Sequence, residues 1–142
     1  MILYCDTSAL IKRYVEEKGT ESVDALWEDC QGVSTSVVAF AEAISAFSRK
    51  LREGLLSRKE YTKTVRKFRD DYEHLILVPV DNNLNSVMEN LFNRHSLRGF
   101  DAIHLASALV FTNSKEIDLL FACFDHTLNE AAIKEGLKVI HN

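Results

Sequence analysis

The sequence predicts an α/β protein: a three-layer α/β/α domain around a short parallel sheet of four or five strands. Three observations predict it. Ile2-Leu3-Tyr4-Cys5, Leu75 to Val80 and Leu119 to Phe124 are apolar at nearly every position, as strands buried on both faces are in parallel sheets. The stretches between them carry helical periodicity, and strand–helix alternation builds crossover units. A chain of 142 residues, 46% hydrophobic and 27% charged, suits one core, so residues 1–142 are expected to form a single domain.

The elements follow in order. The Ile2–Cys5 run ends in Asp6-Thr7-Ser8, a helix-start signal, and Ala9-Leu10-Ile11 and Tyr14-Val15 continue as a helix. Thr20 to Cys30 fits a second helix, with Val23, Leu26 and Trp27 on one side. Gly32-Val33-Ser34 is a candidate short strand, and Ser34-Thr35-Ser36 reads as the cap of the next helix. That helix shows an apolar stripe at Val37, Phe40, Ala41, Ile44, Phe47 and Leu51, and Gly54 ends it. Ser57 to Tyr72 is a charged amphipathic helix, and Leu75 to Val80 is a strand closed by Pro79. Asn83 to Leu97 is helical, and Phe100 to Phe111 is apolar on most sides, as a covered helix is. Leu119 to Phe124 is a buried strand, His126 to Glu135 a helix stopped by Gly136, and Leu137 to Ile140 a last strand. No internal repeat or low-complexity stretch is present.

Composition excludes several classes. The N-terminus lacks the positive lead and long apolar run of a signal peptide, and no window approaches the roughly 20 apolar residues that span a bilayer. Cys5, Cys30 and Cys123 form no C-x-x-C pair, so buried reduced thiols in a cytoplasmic protein are expected rather than zinc or disulfides. The net charge of −4 is unevenly spread. Arg49 to Arg69 holds nine Lys/Arg against Glu53 and Glu60, a segment at +7 that leaves −11 on the rest. It is either a solvated helical face or a phosphate-facing stripe beside an acidic pocket.

Four acids carry the chemistry. Asp6 and Asp125 follow the first and fourth apolar strands, where an open α/β sheet presents its ligand edge. Asp101 opens the most apolar helix. Helix capping is the competing account for all three, since Asp is a favoured N-cap. Glu42 is the one charged residue between Asp29 and Arg49, in what the pattern takes as mid-helix, where a cap role fails. At about 100° per residue it falls opposite the apolar stripe, so a solvent-facing position also fits.

If the four converge, chemistry follows. Two carboxylates about 4 Å apart repel by about 4 kcal/mol at an effective dielectric near 20, and so share protons or recruit a cation. Oxygen donors alone favour a hard ion such as Mg²⁺ or Mn²⁺. Such an ion activates water towards phosphodiesters and offsets the charge of the phosphate. No G-x-G-x-x-G, P-loop or G-x-S-x-G pattern offers a rival chemistry.

Y-C-D-T-S-A-L-I-K-R-Y (Tyr4 to Tyr14), R-G-F-D-A-I-H-L-A-S-A-L (Arg98 to Leu109) and F-D-H-T-L-N-E-A-A (Phe124 to Ala132) together resemble the PIN domain, in its VapC-like toxin branch. The resemblance runs along essentially the whole chain. It implies a metal-dependent endoribonuclease whose Asp6, Glu42, Asp101 and Asp125 hold Mg²⁺ or Mn²⁺, with Thr7 or Ser8 assisting. It also implies an RNA substrate, a homodimer and a cognate antitoxin. Asn129 is a candidate for orienting the site, for a cap or for an exposed surface position. His104 is expected to be a hydrogen-bonded structural histidine, and Arg98 a phosphate contact or surface residue. Tyr4, Phe100 and Phe124 are expected in the core. The competing readings are a non-catalytic RNA- or protein-binding scaffold and a DNA or structure-specific nuclease.

Overall fold

A computed structural model of the chain describes residues 1–140 and shows the three-layer α/β/α architecture. Strands β1 (Ile2–Cys5), β2 (Gly32–Ser36), β3 (Ile76–Val78), β4 (Leu119–Ala122) and β5 (Lys138–Val139) form one parallel sheet in the order β3-β2-β1-β4-β5. The helices are α1 (Thr7–Leu10), α2 (Thr20–Asp29), α3 (Ala39–Arg52), α4 (Arg58–Tyr72), α5 (Asn85–Arg94), α6 (Gly99–Lys115) and α7 (His126–Lys134). Short 3₁₀ turns over Ile11–Arg13 and Asn82–Leu84 extend α1 and precede α5.

The pleat divides the core. Leu3, Cys5 and Ala122 pack with Ala9, Leu10, Val23, Ala43, Phe47 and Phe68 under α1 to α4. Tyr4, Phe121 and Cys123 face the other way, with Leu91, Leu105, Ala108, Leu128 and Ala131 under α5 to α7. Alternate residues of one strand thus serve opposite layers. In register, Leu3 stands between Val33 and Leu120. The strand order reverses at β1, and a ligand site is expected beyond the carboxyl ends there. The ladder continues into the first acid, because Asp6 N–H donates to the Ala122 carbonyl at 3.0 Å.

Several expectations need correction. Ser34, Thr35 and Ser36 are all buried strand residues, and of the expected cap only one bond is seen, with Ser36 Oγ accepting from Val38 N–H at 3.2 Å just ahead of α3. The Ser34 hydroxyl donates to the Ile76 carbonyl at 2.8 Å and that of Thr35 to the Cys5 carbonyl at 2.7 Å, which lets polar residues fill a strand. Helix α3 therefore starts later than its stripe suggested. Val37 and Ala41 are exposed, and Ala39, Ala43 and Phe47 are its buried positions. The Leu75–Val80 run keeps only Ile76–Val78 as an edge strand with one buried residue, Val78. Likewise β4 stops at Ala122, and the residues before Asp125 turn out of the sheet.

Gly19 is the one glycine whose surroundings bear on the site. It sits at φ 99° ahead of α2, and a Cβ there would lie 2.6 Å from the Phe124 ring, next to Asp125.

Candidate active site

All four acids line one cavity of about 500 Å³, beyond the carboxyl ends of β1 and β4. Asp6 comes from the end of β1, Glu42 from α3, Asp101 from α6 and Asp125 from the turn after β4. Thr7, Ser8, His104, Arg49 and Arg98 share its walls.

Asp6 is buried and caps α1, accepting from Ala9 N–H at 3.0 Å and the Ser8 hydroxyl at 2.7 Å, both on Oδ1. Burial pushes its carboxyl up to about 6, against the weaker opposing influence of His104 and these two hydrogen bonds. Ser8 Oγ also accepts from Phe124 N–H at 3.1 Å, tying the turn after β1 to the turn after β4. Asp125 caps α7 by accepting from Leu128 N–H at 2.8 Å. Capping and cavity lining thus coexist at both residues.

Asp101 is different. Arg98 holds the N-cap position of α6, and Asp101 lies in the first turn beyond it. The exposed Arg98 guanidinium stands 3.5 Å from Asp101 Oδ2 and 3.9 Å from Asp125 Oδ2, one positive charge spanning two carboxylates. Ion pairs this exposed are weak, so the guanidinium is free to exchange partners.

Glu42 is neither mid-helix nor simply solvent-facing. It lies in the first turn of α3, half-buried. Its Oε1 accepts from the Thr7 hydroxyl at 2.6 Å and lies 2.9 Å from His104 Nε2. Burial works to raise its carboxyl, but these bonds and the nearby imidazole outweigh it and hold the group below the usual glutamate range. His104 is buried and hydrogen-bonded, as expected; its Nδ1 lies 3.0 Å from the Tyr4 hydroxyl.

Asn129 is a buried residue of α7 whose Nδ2 donates to the Cys123 carbonyl at 3.0 Å, holding the chain just ahead of Asp125. Phe100 is not core: it is 55% exposed, where α6 begins beside the cavity rim. Tyr4 is fully buried and Phe124 partly so. Arg49 is the member of the basic segment that reaches the cavity, whereas Lys63 and Lys67 line a separate cleft with Tyr14, Leu55 and Leu56. The residues that reasoning from sequence underrated are Thr7, Ser8 and His104, whose partners lie far along the chain or in another layer.

Among the described residues, no group of three or more His, Cys, Asp or Glu side chains that could hold a metal ion is found. The arrangement can present carboxylate oxygens from four elements to one small volume, with two arginines at its edge.

Comparison with known proteins places the chain in a family. The PIN domain model matches residues 3–140. The chain is 30% identical over 138 residues to Ribonuclease VapC45 and to Ribonuclease VapC49, from two strains of Mycobacterium tuberculosis, spanning 97% of this chain and 94% of each relative. Among solved structures, FitAcB from Neisseria gonorrhoeae superposes with a TM-score of 0.68 at 17% identity, covering 99% of this chain and 97% of that one. VapC20 of Mycobacterium tuberculosis, described as a Sarcin-Ricin loop cleaving toxin, gives 0.63 at 15% identity over 91% and 94%. The chain belongs to the PIN-domain family, among the VapC ribonucleases.

Proposed function

We propose that this protein is a metal-dependent endoribonuclease, acting on RNA as the toxin of a toxin–antitoxin pair. The observation that carries the reading is the convergence of Asp6, Glu42, Asp101 and Asp125 on one cavity. The Ribonuclease VapC relatives and the loop-cleaving VapC20 neighbour support RNA as the substrate.

The donor set fits a hard divalent ion. Every acid offers oxygen, and Mg²⁺ is usually held by one or two carboxylates, several waters and substrate phosphate rather than by a closed protein cage. That no group of three such side chains is found among the described residues is compatible with that mode of binding. Asp6, Asp101 and Asp125, with Glu42, would hold Mg²⁺ or Mn²⁺. Once bound, the ion supplies Lewis-acid polarisation of the scissile phosphate and activation of a water nucleophile.

The chain's own residues do the rest. Ser8 and Ala9 fix Asp6 through Oδ1, so Oδ2 is its oxygen open to a cation. Arg98, exposed and only loosely paired with Asp101 and Asp125, would be the residue at the cavity edge able to turn to the RNA backbone. Arg49 on the opposite helix supplies a second backbone contact.

A homodimer and a cognate antitoxin complete the reading. The face offered for dimerisation is the apolar cleft of about 450 Å³ formed by Met88, Phe92, Phe100 and Ile103, where Phe92 is 47% exposed. Phe92→Asp is expected to shift the protein from dimer to monomer in light scattering. A cytoplasmic setting is supported by Cys5 and Cys30 standing as free thiols. Among the described residues no helix is long and apolar enough to cross a membrane.

The test is incubation of purified protein with total RNA and with single-stranded DNA, in Mg²⁺, Mn²⁺ or EDTA, beside Asp101→Asn. The expected result is RNA cutting that needs the metal and falls by about 100-fold or more in the variant, a loss of roughly 3 kcal/mol of transition-state stabilisation. Equal cutting by the folded variant removes the assignment. Binding of RNA without cutting favours the scaffold, and preferential cutting of DNA favours the DNA nuclease.

A further inference from the structure

His104 and Glu42 belong to helices in different layers. α6 packs on one face of the sheet and α3 on the other, yet the two side chains meet over the carboxyl edge of β1 at 2.9 Å. The imidazole is only 2% exposed. Both of its nitrogens are engaged by side chains: Nδ1 at 3.0 Å from the Tyr4 hydroxyl, Nε2 close to Glu42 Oε1 and, at 3.2 Å, to Thr7 Oγ1.

Elementary chemistry fixes the protons. An ionised carboxylate only accepts, so Nε2 carries a hydrogen and donates it to Glu42. In the neutral ring Nδ1 then accepts, and the Tyr4 hydroxyl, kept protonated by burial, is its donor. A ring turned over would set C–H groups against Glu42 and Tyr4 and lose both bonds. One ring orientation and one tautomer are therefore selected. Thr7 donates to the same carboxylate oxygen at 2.6 Å. Two donors on Oε1 leave Oε2 as the oxygen that can serve a cation or its waters.

We propose that His104 is a positioning residue for RNA hydrolysis, holding the Glu42 carboxylate in the cavity by a hydrogen bond that joins the two helical layers. This rests on the ribonuclease reading above. Partners that orient ligating carboxylates typically matter about 10- to 100-fold in metal affinity or activity. Thr7 is the other side chain that holds Glu42, but it lies just past the end of β1, so His104 is the partner that ties Glu42 to α6, while Ser45 and Ala46 beside it line the cavity.

The test compares His104→Asn, His104→Gln, Glu42→Gln and the double variant His104→Asn/Glu42→Gln. A glutamine amide can reach the place of Nε2, whereas an asparagine amide reaches only that of Nδ1. Three quantities are measured: kcat and KM on an RNA that the wild type cuts, the affinity for Mn²⁺ alone by calorimetry, and the imidazole proton resonances of ¹⁵N-labelled wild type. His104→Asn is expected to lower kcat or Mn²⁺ affinity by about 10- to 100-fold at little changed KM. His104→Gln should recover most of that loss. Adding Glu42→Gln to His104→Asn should cost no more than about threefold further, as coupled sites do. The wild-type ring should show its proton on Nε2.

The proposal is overturned if His104→Asn matches wild type in kcat and Mn²⁺ affinity while Glu42→Gln does not. Full additivity in the double variant, a proton on Nδ1 alone, or equal loss in His104→Gln and His104→Asn would overturn it too. Should the wild type cut no RNA yet bind Mn²⁺ in a His104-dependent way, the ribonuclease reading fails and the positioning role stands. If wild type cuts RNA with metal but neither cutting nor Mn²⁺ binding depends on Glu42, the positioning role fails and the ribonuclease reading stands.

Discussion

Asp6 shows what the site costs the fold. Its carboxyl is pushed up to about 6 from an ordinary value of 3.8, chiefly because it is buried. The folded chain therefore binds that proton more tightly than the unfolded chain. The stability this confers is fully present below about pH 4 and is lost as pH rises through about 6. The difference amounts to about 3 kcal/mol. Asp6→Asn keeps an oxygen for Ser8 and Ala9 and removes the buried charge, so at pH 7.5 its melting temperature should rise by about 5–10 °C while RNA cutting disappears. Calorimetry and a cleavage assay on the same sample check both halves; an unchanged or lower melting point would contradict the account of the buried charge. At the cavity wall, Arg49→Ala should weaken RNA binding and reduce the slope of log affinity against log salt by about 1. An unchanged slope in a salt titration would remove Arg49 from the backbone path. Asp6 and Asp125 were legible in the sequence because each follows an apolar strand, where the ligand edge of a parallel sheet must lie. Glu42 was not. Its bonds to Thr7 and His104 span 35 and 62 positions of the chain, and periodicity sees only near neighbours. Phe100 was read as core because it is aromatic, whereas its place at the start of α6 exposes it.

Among the elements, the long ones were readable and the short ones were not. α4 carries a full capping box between Ser57 and Glu60 and an inward Phe68, so its limits follow from local signals. The first half of β2 was read as a strand, and its second half escaped because Thr35 and Ser36 are held by strands β1 and β3, partners that are distant in sequence. α1 is a four-residue helix whose shortness no apolar pattern signals. What fixes α4 to the layer below is an aromatic cluster: the Phe68 ring lies 5.3 Å from Tyr14, 5.7 Å from Phe47 and 5.8 Å from Phe40. These separations suit edge-to-face and tilted packing. Phe68→Ala should cost about 3–5 kcal/mol in urea unfolding at unchanged m-value. Below its lowered melting point the variant should cut RNA at the wild-type rate, because the ring touches none of the four acids. A small stability loss, or lost cutting in folded protein, would contradict this division between core and site.

For the molecule as a whole, the site is a product of topology. The sheet reverses direction of growth at β1 and sets the ends of β1 and β4 side by side. α3 and α6 then bring Glu42 and Asp101 over that edge from opposite layers. Strand–helix alternation made the fold class plain from sequence, and the order of the motifs made the family plain. Sequence could not supply the links that hold the layers in register over the cavity, namely His104 to Glu42 and Ser8 to Phe124. The central claim is that four carboxylates from four elements act as one cation site. Its most direct test is Mn²⁺ binding to purified protein followed by electron paramagnetic resonance, for wild type and for Asp6→Asn, Asp101→Asn and Asp125→Asn. The account predicts saturable binding by the wild type, loss of affinity of about 10-fold or more in each variant, and displacement of Mn²⁺ by Mg²⁺. Wild-type protein that binds no Mn²⁺, or variants that bind it as tightly as wild type, would contradict it.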